Sequence, residues 1–257
     1  MKRCGLLFVL CVLLTLIGCQ SRPLDTVSQV STIDAILAGV YDGQLPARDL
    51  LAYGDFGIGT LDGLDGEMVI LDGNLYQVRT DGKVYRPSLD STIPFASIVT
   101  FQADGSLPLA AGMNFAQLQS NIDQGLANPN IFYAIKVHGH FANMKVRSVP
   151  AQHKPYPPLV EVAKQQAVFD LHDVSGTLVG FRSPAYAKGI NVPGYHLHFL
   201  TDDKSAGGHV LDFQVAEATA EYDACNRFFM LLPTDNAGFG VADLSKDRTQ
   251  ELHQAER

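Results

Sequence analysis

The chain has 257 residues, a formal net charge of −8 and an apolar fraction of 46%. That length suits one large domain or two small ones, with enough apolar residues to fill a core. The acidic balance and the lack of a basic patch exclude nucleic acid as a partner.

Residues 1–18 have the make-up of a secretory signal. Lys2 and Arg3 form a basic start, and Leu6 to Ile17 is a nearly unbroken apolar run, too short for a comfortable membrane span. The run ends in Leu16-Ile17-Gly18-Cys19, which resembles a bacterial lipobox. Cleavage after Gly18 makes Cys19 the lipidated first residue, with residues 19–26 as a polar tether. Gln20 after the cysteine fits outer-membrane sorting in a two-membrane bacterium. The expected location is the cell envelope, held by a lipid anchor at Cys19. Cys4 and Cys11 leave with the signal, so Cys225 is the one free thiol and no internal disulfide forms.

Along the remaining chain, Val27 to Leu37 has apolar residues at helical spacing, and Pro46 to Ala52 predicts a short helix with Pro at its first turn. Glu67 to Leu71, Leu75 to Arg79 and Lys83 to Arg86 predict a meander of hairpins. Asp72-Gly73-Asn74 and Thr80-Asp81-Gly82 supply its turns. Ile93 to Phe101 predicts a strand and Phe115 to Leu126 an amphipathic helix. Ile131 to Val137 and Met144 to Val149 predict strands, and Leu159 to Phe169 a helix after Pro157-Pro158. Val174 to Phe181, Tyr195 to Leu200 and His209 to Val215 predict further strands, and Ser245 to Glu256 a polar terminal helix or tail. The pattern implies an α+β fold with mainly antiparallel sheets. Residues 27–257 form one domain in two halves that divide near residue 127.

The chemistry concentrates in Tyr195-His196-Leu197-His198-Phe199-Leu200. His196 and His198 share one strand face, opposite the apolar Tyr195, Leu197 and Phe199. His209 on the next strand supplies a third nitrogen if the intervening loop is even in length, such as one over Thr201 to Ala206. An odd loop sets His209 against Phe199 instead, and a bulge at Gly207-Gly208 is another way to set the register. Three protein ligands with an open position is the pattern of catalytic zinc. A second pair, His138 and His140, flanks Gly139, which predicts a turn that separates the rings. His153, His172 and His253 read as surface residues.

Several separated segments then resemble one family. Gly54-Asp55-Phe56-Gly57-Ile58-Gly59-Thr60 and Gly63-Leu64-Asp65-Gly66-Glu67 resemble the N-terminal signature of the α-acetolactate decarboxylases. Arg147-Ser148-Val149-Pro150-Ala151-Gln152 with Pro155-Tyr156, and Gly194 to Phe199 running into Gly207 to Leu211, are similar to later motifs of that family, in the same order. The resemblance runs from about Leu37 to the C-terminus. It implies two α/β halves with sheets packed together, homodimers, and conversion of (S)-2-acetolactate to (R)-acetoin and carbon dioxide in acetoin and butanediol metabolism. It also implies Zn²⁺ on His196, His198 and His209, with Glu67, Arg147 and a glutamate near the chain end as catalytic groups. Glu256 is the expected match for that last group and Glu251 its competitor. The tail would then fold back over the metal.

The chemistry of acetolactate agrees with this resemblance. An α-hydroxy-β-keto acid that loses its carboxylate needs an electron sink, and zinc on the adjacent ketone oxygen supplies one. Arg147 can hold the carboxylate as a planar, permanently charged fork, and the two glutamates can deliver a proton. Alternatives are another three-histidine metal lyase or hydratase, and an envelope lipoprotein that binds zinc without catalysis. A cupin is disfavoured because Phe199-Leu200-Thr201-Asp202 lacks the glutamate that its His-x-His strand requires. The zinc-buffering alternative lacks His-rich tracts.

Overall fold

The computed structural model describes residues Leu24–Glu256. The predicted signal and Cys19 lie outside the described residues. The chain opens with β1 (Thr26–Val30) and α1 (Ile33–Leu37). The helical spacing from Val27 is therefore misleading. Val27 and Val30 are buried between two neighbouring strands, Ser31 turns the backbone at φ 60°, and the Thr32 side chain caps α1 by accepting from the Ala35 N–H. Sheet pairing overrides a periodicity of only eleven residues. After β2 (Leu45–Pro46) and α2 (Ala47–Leu50) come β3 (Phe56–Thr60), β4 (Glu67–Leu71), β5 (Asn74–Val78) and β6 (Val84–Tyr85). Asp72 and Gly73 link β4 to β5 with φ 52° and 72°, the two left-handed residues of a tight hairpin. The predicted Ile93–Phe101 strand is split into β7 (Thr92–Ile93) and β8 (Phe95–Val99).

β9 (Gly105–Leu109) precedes α3 (Phe115–Gly125), whose Asn114 and Gln117 form a reciprocal capping box. β10 (Phe132–Ser148) is a single 17-residue strand. The turn expected at His138-Gly139-His140 is absent. Gly139 lies between Gly176 and Ala218 of two partner strands, and a Cβ there would collide with the Glu217 carbonyl. Glycine serves close backbone approach here, not a turn. The helix expected over Leu159–Phe169 stops as α4 (Leu159–Ala163), because β11 (Ala167–Ser183) pairs with β10 from Ala167 onward. β12 (Gly194–Thr201), β13 (Gly207–Cys225), β14 (Arg227–Leu231), α5 (Ala237–Val241) and α6 (Thr249–Ala255) complete the chain.

The fold is α+β, with mainly antiparallel sheets. Seven strands form one sheet in the order β14-β1-β8-β3-β4-β5-β6, in which β14 lies parallel to β1. The second sheet runs β10-β11-β12-β13-β9, and β10 also pairs with β13. Four of its strands thus close a ring. Inside the ring Phe141 meets Phe199 and Phe213 edge-on, and Leu197, Met144 and Val210 fill the remaining space with Leu118 and Ile122 of α3. Between the two sheets lies a second apolar layer, with Val27, Phe56, Ile58 and Val69 facing Val179, Phe181 and Leu200. At one end of the sheets α1, α4 and α6 gather around Tyr41, Leu64, Phe95 and Val149.

Candidate metal centre

Alternation along β12 separates core from chemistry. Leu197 and Phe199 enter the ring, while His196 and His198 face the seven-stranded sheet. Thr201 N–H donates to the Ala206 carbonyl, so the connecting loop is even, and His198 pairs directly with His209. Gly207 and Gly208 continue the ladder regularly opposite Leu200 and Phe199. The extra residue sits further along β13 at Leu211, between the pairs Lys145–Asp212 and Val146–Val210. That bulge also sets Arg147 opposite His209. In a regular ladder Ser148 would take that place and Arg147 would face Val210.

The three imidazoles are almost fully buried, and one nitrogen from each lies within 4.8 Å of the others. His198 Nδ1–H donates to the Met68 carbonyl at 2.9 Å, which leaves the Nε2 lone pair facing inward. That Nε2 is buried without a hydrogen-bond partner, a costly state for a polar atom unless something binds it. Burial pushes the His196 pKa down to about 3, with the Arg147 charge adding to the effect. Burial, with the Arg147 charge adding to it, holds His198 and His209 well below the usual range as well. Neutral imidazoles with converging lone pairs suit a borderline divalent cation such as zinc.

Three charged groups surround these nitrogens. Glu67 begins β4, after Gly66 at φ 73°, where a side chain would collide with the Val78 carbonyl. Its Oε2 lies 3.5 Å from His198 Nε2, and its Oε1 lies 3.5 Å from Arg147 Nη1. Burial raises the Glu67 pKa to about 7, against the lowering effect of Arg147; the charge of Glu256 raises it further. Arg147 is 4% exposed and donates from Nη2 to the Ala255 carbonyl at 2.7 Å. Glu256 follows α6 directly, and its Oε2 lies 3.7 Å from both His196 Nε2 and His209 Nε2. Burial raises its pKa too, with Arg147 opposing. Glu251 turns away and pairs with Arg248 at 2.9 Å. Leu252 and Ala255 anchor α6 in the apolar cluster with α1 and α4.

The C-terminal segment thus folds back over the histidines. The resulting cavity of about 50 Å³ is walled by Ile33, Ile36, Leu64, Phe95, Val149 and Leu159, with Thr60 at its edge. Sequence reasoning did not single out these apolar residues. They sit on short helices and strand ends where no period repeats. Met68 was missed because its carbonyl, not its side chain, orients His198. The remaining histidines stay outside: His138 pairs with Asp202, His140 with Asp173 and His172 with Asn143, while His153 and His253 are exposed.

Fold and site together define a class: an α+β chain with a buried three-imidazole pocket, two carboxylates and a guanidinium arranged for a small anionic substrate. The family model described as alpha-acetolactate decarboxylase matches residues 27–246. The chain is 50% identical over 233 residues to the alpha-acetolactate decarboxylase of Methanosarcina mazei, covering 91% of this chain and 81% of that one. It is 43% identical to the one from Methylococcus capsulatus, covering 90% and 88%. The crystal structure of the Bacillus subtilis alpha-acetolactate decarboxylase superposes with a TM-score of 0.87 at 38% identity, covering 90% of this chain and 99% of that one. The chain belongs to the alpha-acetolactate decarboxylase family. Glu256 lies beyond the matched span, so its place at the site rests on the fold.

Proposed function

We propose that the chain catalyses the zinc-dependent decarboxylation of (S)-2-acetolactate to (R)-acetoin and carbon dioxide, a step of acetoin and butanediol metabolism. The observation that carries this reading is convergence. Glu67, Arg147 and Glu256 come from three distant segments and meet at the same three imidazoles. His196, His198 and His209 would hold the metal, which supplies a Lewis acid for the ketone oxygen of the substrate.

The protein's own groups account for the other needs of the reaction. Arg147 offers a fixed cation to the substrate carboxylate before the C1–C2 bond breaks. When carbon dioxide leaves, the electron pair moves toward the C3 oxygen, and C2 must then gain a proton. Glu67, whose carboxyl is buried beside His198, is placed to hold and deliver that proton. Glu256 lies beside His196 and His209 whereas Glu67 lies beside His198, so the two carboxylates reach the centre past different imidazoles. That asymmetry is the basis for a single product hand. The apolar wall of Ile33, Ile36 and Phe95 excludes water from the reacting carbon. Purified zinc-loaded domain given racemic acetolactate should release carbon dioxide and (R)-acetoin, scored by a chromogenic acetoin assay and chiral chromatography. Absence of acetoin would refute the reading.

The same reading places the chain in the cell envelope, lipid-anchored at Cys19. Its support is the run from Lys2 and Arg3 through Leu6–Ile17 to Gly18-Cys19. Cys19→Ala should abolish fatty-acid labelling and release the chain from membranes. Recovery of wild-type chain with Met1 intact would overturn the anchor. A homodimer belongs to this reading too, and light scattering on the purified domain tests it.

A further inference from the structure

The two ends of the seven-stranded sheet differ in chemistry, and strand register assigns each residue to an end. Val30 lies opposite Ala96, Thr60 opposite Phe95 and Glu67 opposite Val78, which marks the metal-centre end. Ile33 and Ile36, immediately after β1, line the cavity there. Thr26, Phe56 with its partner Val99, and the Asp72–Gly73 turn lie at the other end. Backbone and carboxylate contacts tie that end together. Gly73 N–H donates to the Asp55 carbonyl, Phe101 N–H to Asp55 Oδ1, and Arg227 N–H to the Asp25 carbonyl. The described chain therefore starts at the end remote from the metal centre. β1 then runs toward the centre over four residue steps, about 13 Å.

The tether is short compared with the body it holds. Cys19 precedes Leu24 by five residues, a reach of at most ~18 Å when fully extended. A domain of this size is roughly 45 Å across. A link shorter than half that width, attached at one end, keeps the opposite end off the surface.

We propose that the domain stands end-on over a zwitterionic lipid headgroup layer. Leu24, the loop of residues 100–104 and the Asp72–Gly73 turn face the lipid, and the metal centre faces the aqueous phase. This rests on the anchor at Cys19. The headgroup chemistry follows from charge. Asp72 and Asp104 are exposed at this end beside Asp25 and Asp55 and, among the described residues, outnumber the exposed Arg227 there, while Lys136 nearby is paired with Glu221 at 3.3 Å. Such an end is repelled by an anionic leaflet and tolerates a zwitterionic one. Leu24, 48% exposed, adds an apolar contact at the point of attachment. Substrate and products then exchange with the aqueous compartment without crossing the headgroup layer.

Energy transfer to the bilayer tests this orientation. The full-length lipidated chain is reconstituted on phosphatidylcholine vesicles that carry a headgroup-linked acceptor. The Cys19 sulfur is then in a thioether and Cys225 is buried, so Ala103→Cys and Gln250→Cys each offer one accessible thiol for a donor dye. Ala103 lies in the lipid-facing loop, and Gln250 lies on α6 at the metal-centre end. Transfer from Ala103→Cys should be several-fold stronger than from Gln250→Cys, and anionic lipid should weaken it. Equal or reversed transfer in a lipidated, vesicle-bound chain overturns the orientation alone. Stronger Ala103→Cys transfer on adding anionic lipid overturns the headgroup assignment. An unmodified Cys19 and a chain free of vesicles overturn the anchor and the orientation together, and leave the decarboxylase reading untouched.

Discussion

Replacing Glu256 with glutamine tests the C-terminal segment at its most specific point. The substitution keeps shape and burial, so Leu252 and Ala255 still hold α6 in place and Arg147 still donates to the Ala255 carbonyl. What is lost is a proton-exchanging group 3.7 Å from two of the three imidazole nitrogens. Positioned acid–base groups contribute about 10²–10⁴ in rate, or roughly 3–5 kcal/mol of barrier. Acetoin formation should fall by that factor. Loss of stereocontrol should accompany it, because Glu67 would remain the sole carboxylate at the centre. Removing the Glu256 charge also removes one cause of the raised Glu67 pKa, so the alkaline limb of the pH–rate profile, where Glu67 loses its proton, should move to lower pH. Glu251→Gln is the control. It pairs with the buried Arg248 and not with the imidazoles, so the variant should keep its rate per folded, metal-loaded chain. Metal content by elemental analysis separates a catalytic loss from loss of the ion. Full-rate (R)-acetoin from Glu256→Gln, or collapse of activity in Glu251→Gln, would refute the placement of the terminal glutamate in the chemistry.

Other perturbations probe the remaining parts. His198→Ala should remove most bound metal, since two imidazoles do not close a site; metal retained at one ion per chain in elemental analysis would count against the triad. Arg147→Lys keeps a charge but not the planar fork, and should lower turnover ~100-fold with metal retained; near-normal turnover would make Arg147 purely structural. Away from the site, Asp223 is 1% exposed, and burial raises its pKa from 3.8 to about 6 although the Gln102 N–H donates to it. Its favourable contribution is thus full below pH 3.8 and lost as the pH rises through 6. Above that, the ionised form costs about 2–3 kcal/mol. Asp223→Asn should raise the melting temperature at pH 7.5 by roughly 4–10 °C and leave it unchanged near pH 4; a gap independent of pH would refute this.

The metal triad was largely legible before any fold was known. Alternation alone puts His196 and His198 on one face, but whether His209 joins them hung on loop parity, which only the fold sets, through the even span Thr201 to Ala206. The hairpin of Glu67–Leu71 and Asn74–Val78 follows from its Asp-Gly turn, and α3 from its period and cap. Pairing with distant strands hid the rest. β10 passes straight through Gly139 because two flanking strands need close approach, and no local signal separates that need from a turn. β11 begins where a helical pattern was still running, because residues 140–148 of β10 supply its ladder. The bulge at Leu211 leaves no mark in the sequence, yet it brings Arg147 beside His209. Glu256 and Glu251 look alike in a polar tail, and only the docking of Leu252 and Ala255 decides between them.

β13 satisfies two neighbours at once. Its loop sets the register against β12, its bulge sets the register against β10, and His209 is the residue on which both settings agree. Outside Gly207, Gly208 and His209, residue count between Thr201 and Asp212 therefore matters more than side-chain identity. Many substitutions in this stretch leave the ladders aligned, whereas one inserted or deleted residue rotates His209 out of the pocket or exchanges Arg147 for Ser148. Loop grafts that preserve composition but change the parity of the span should therefore yield chains whose strands still pair but whose third imidazole is turned away from the other two.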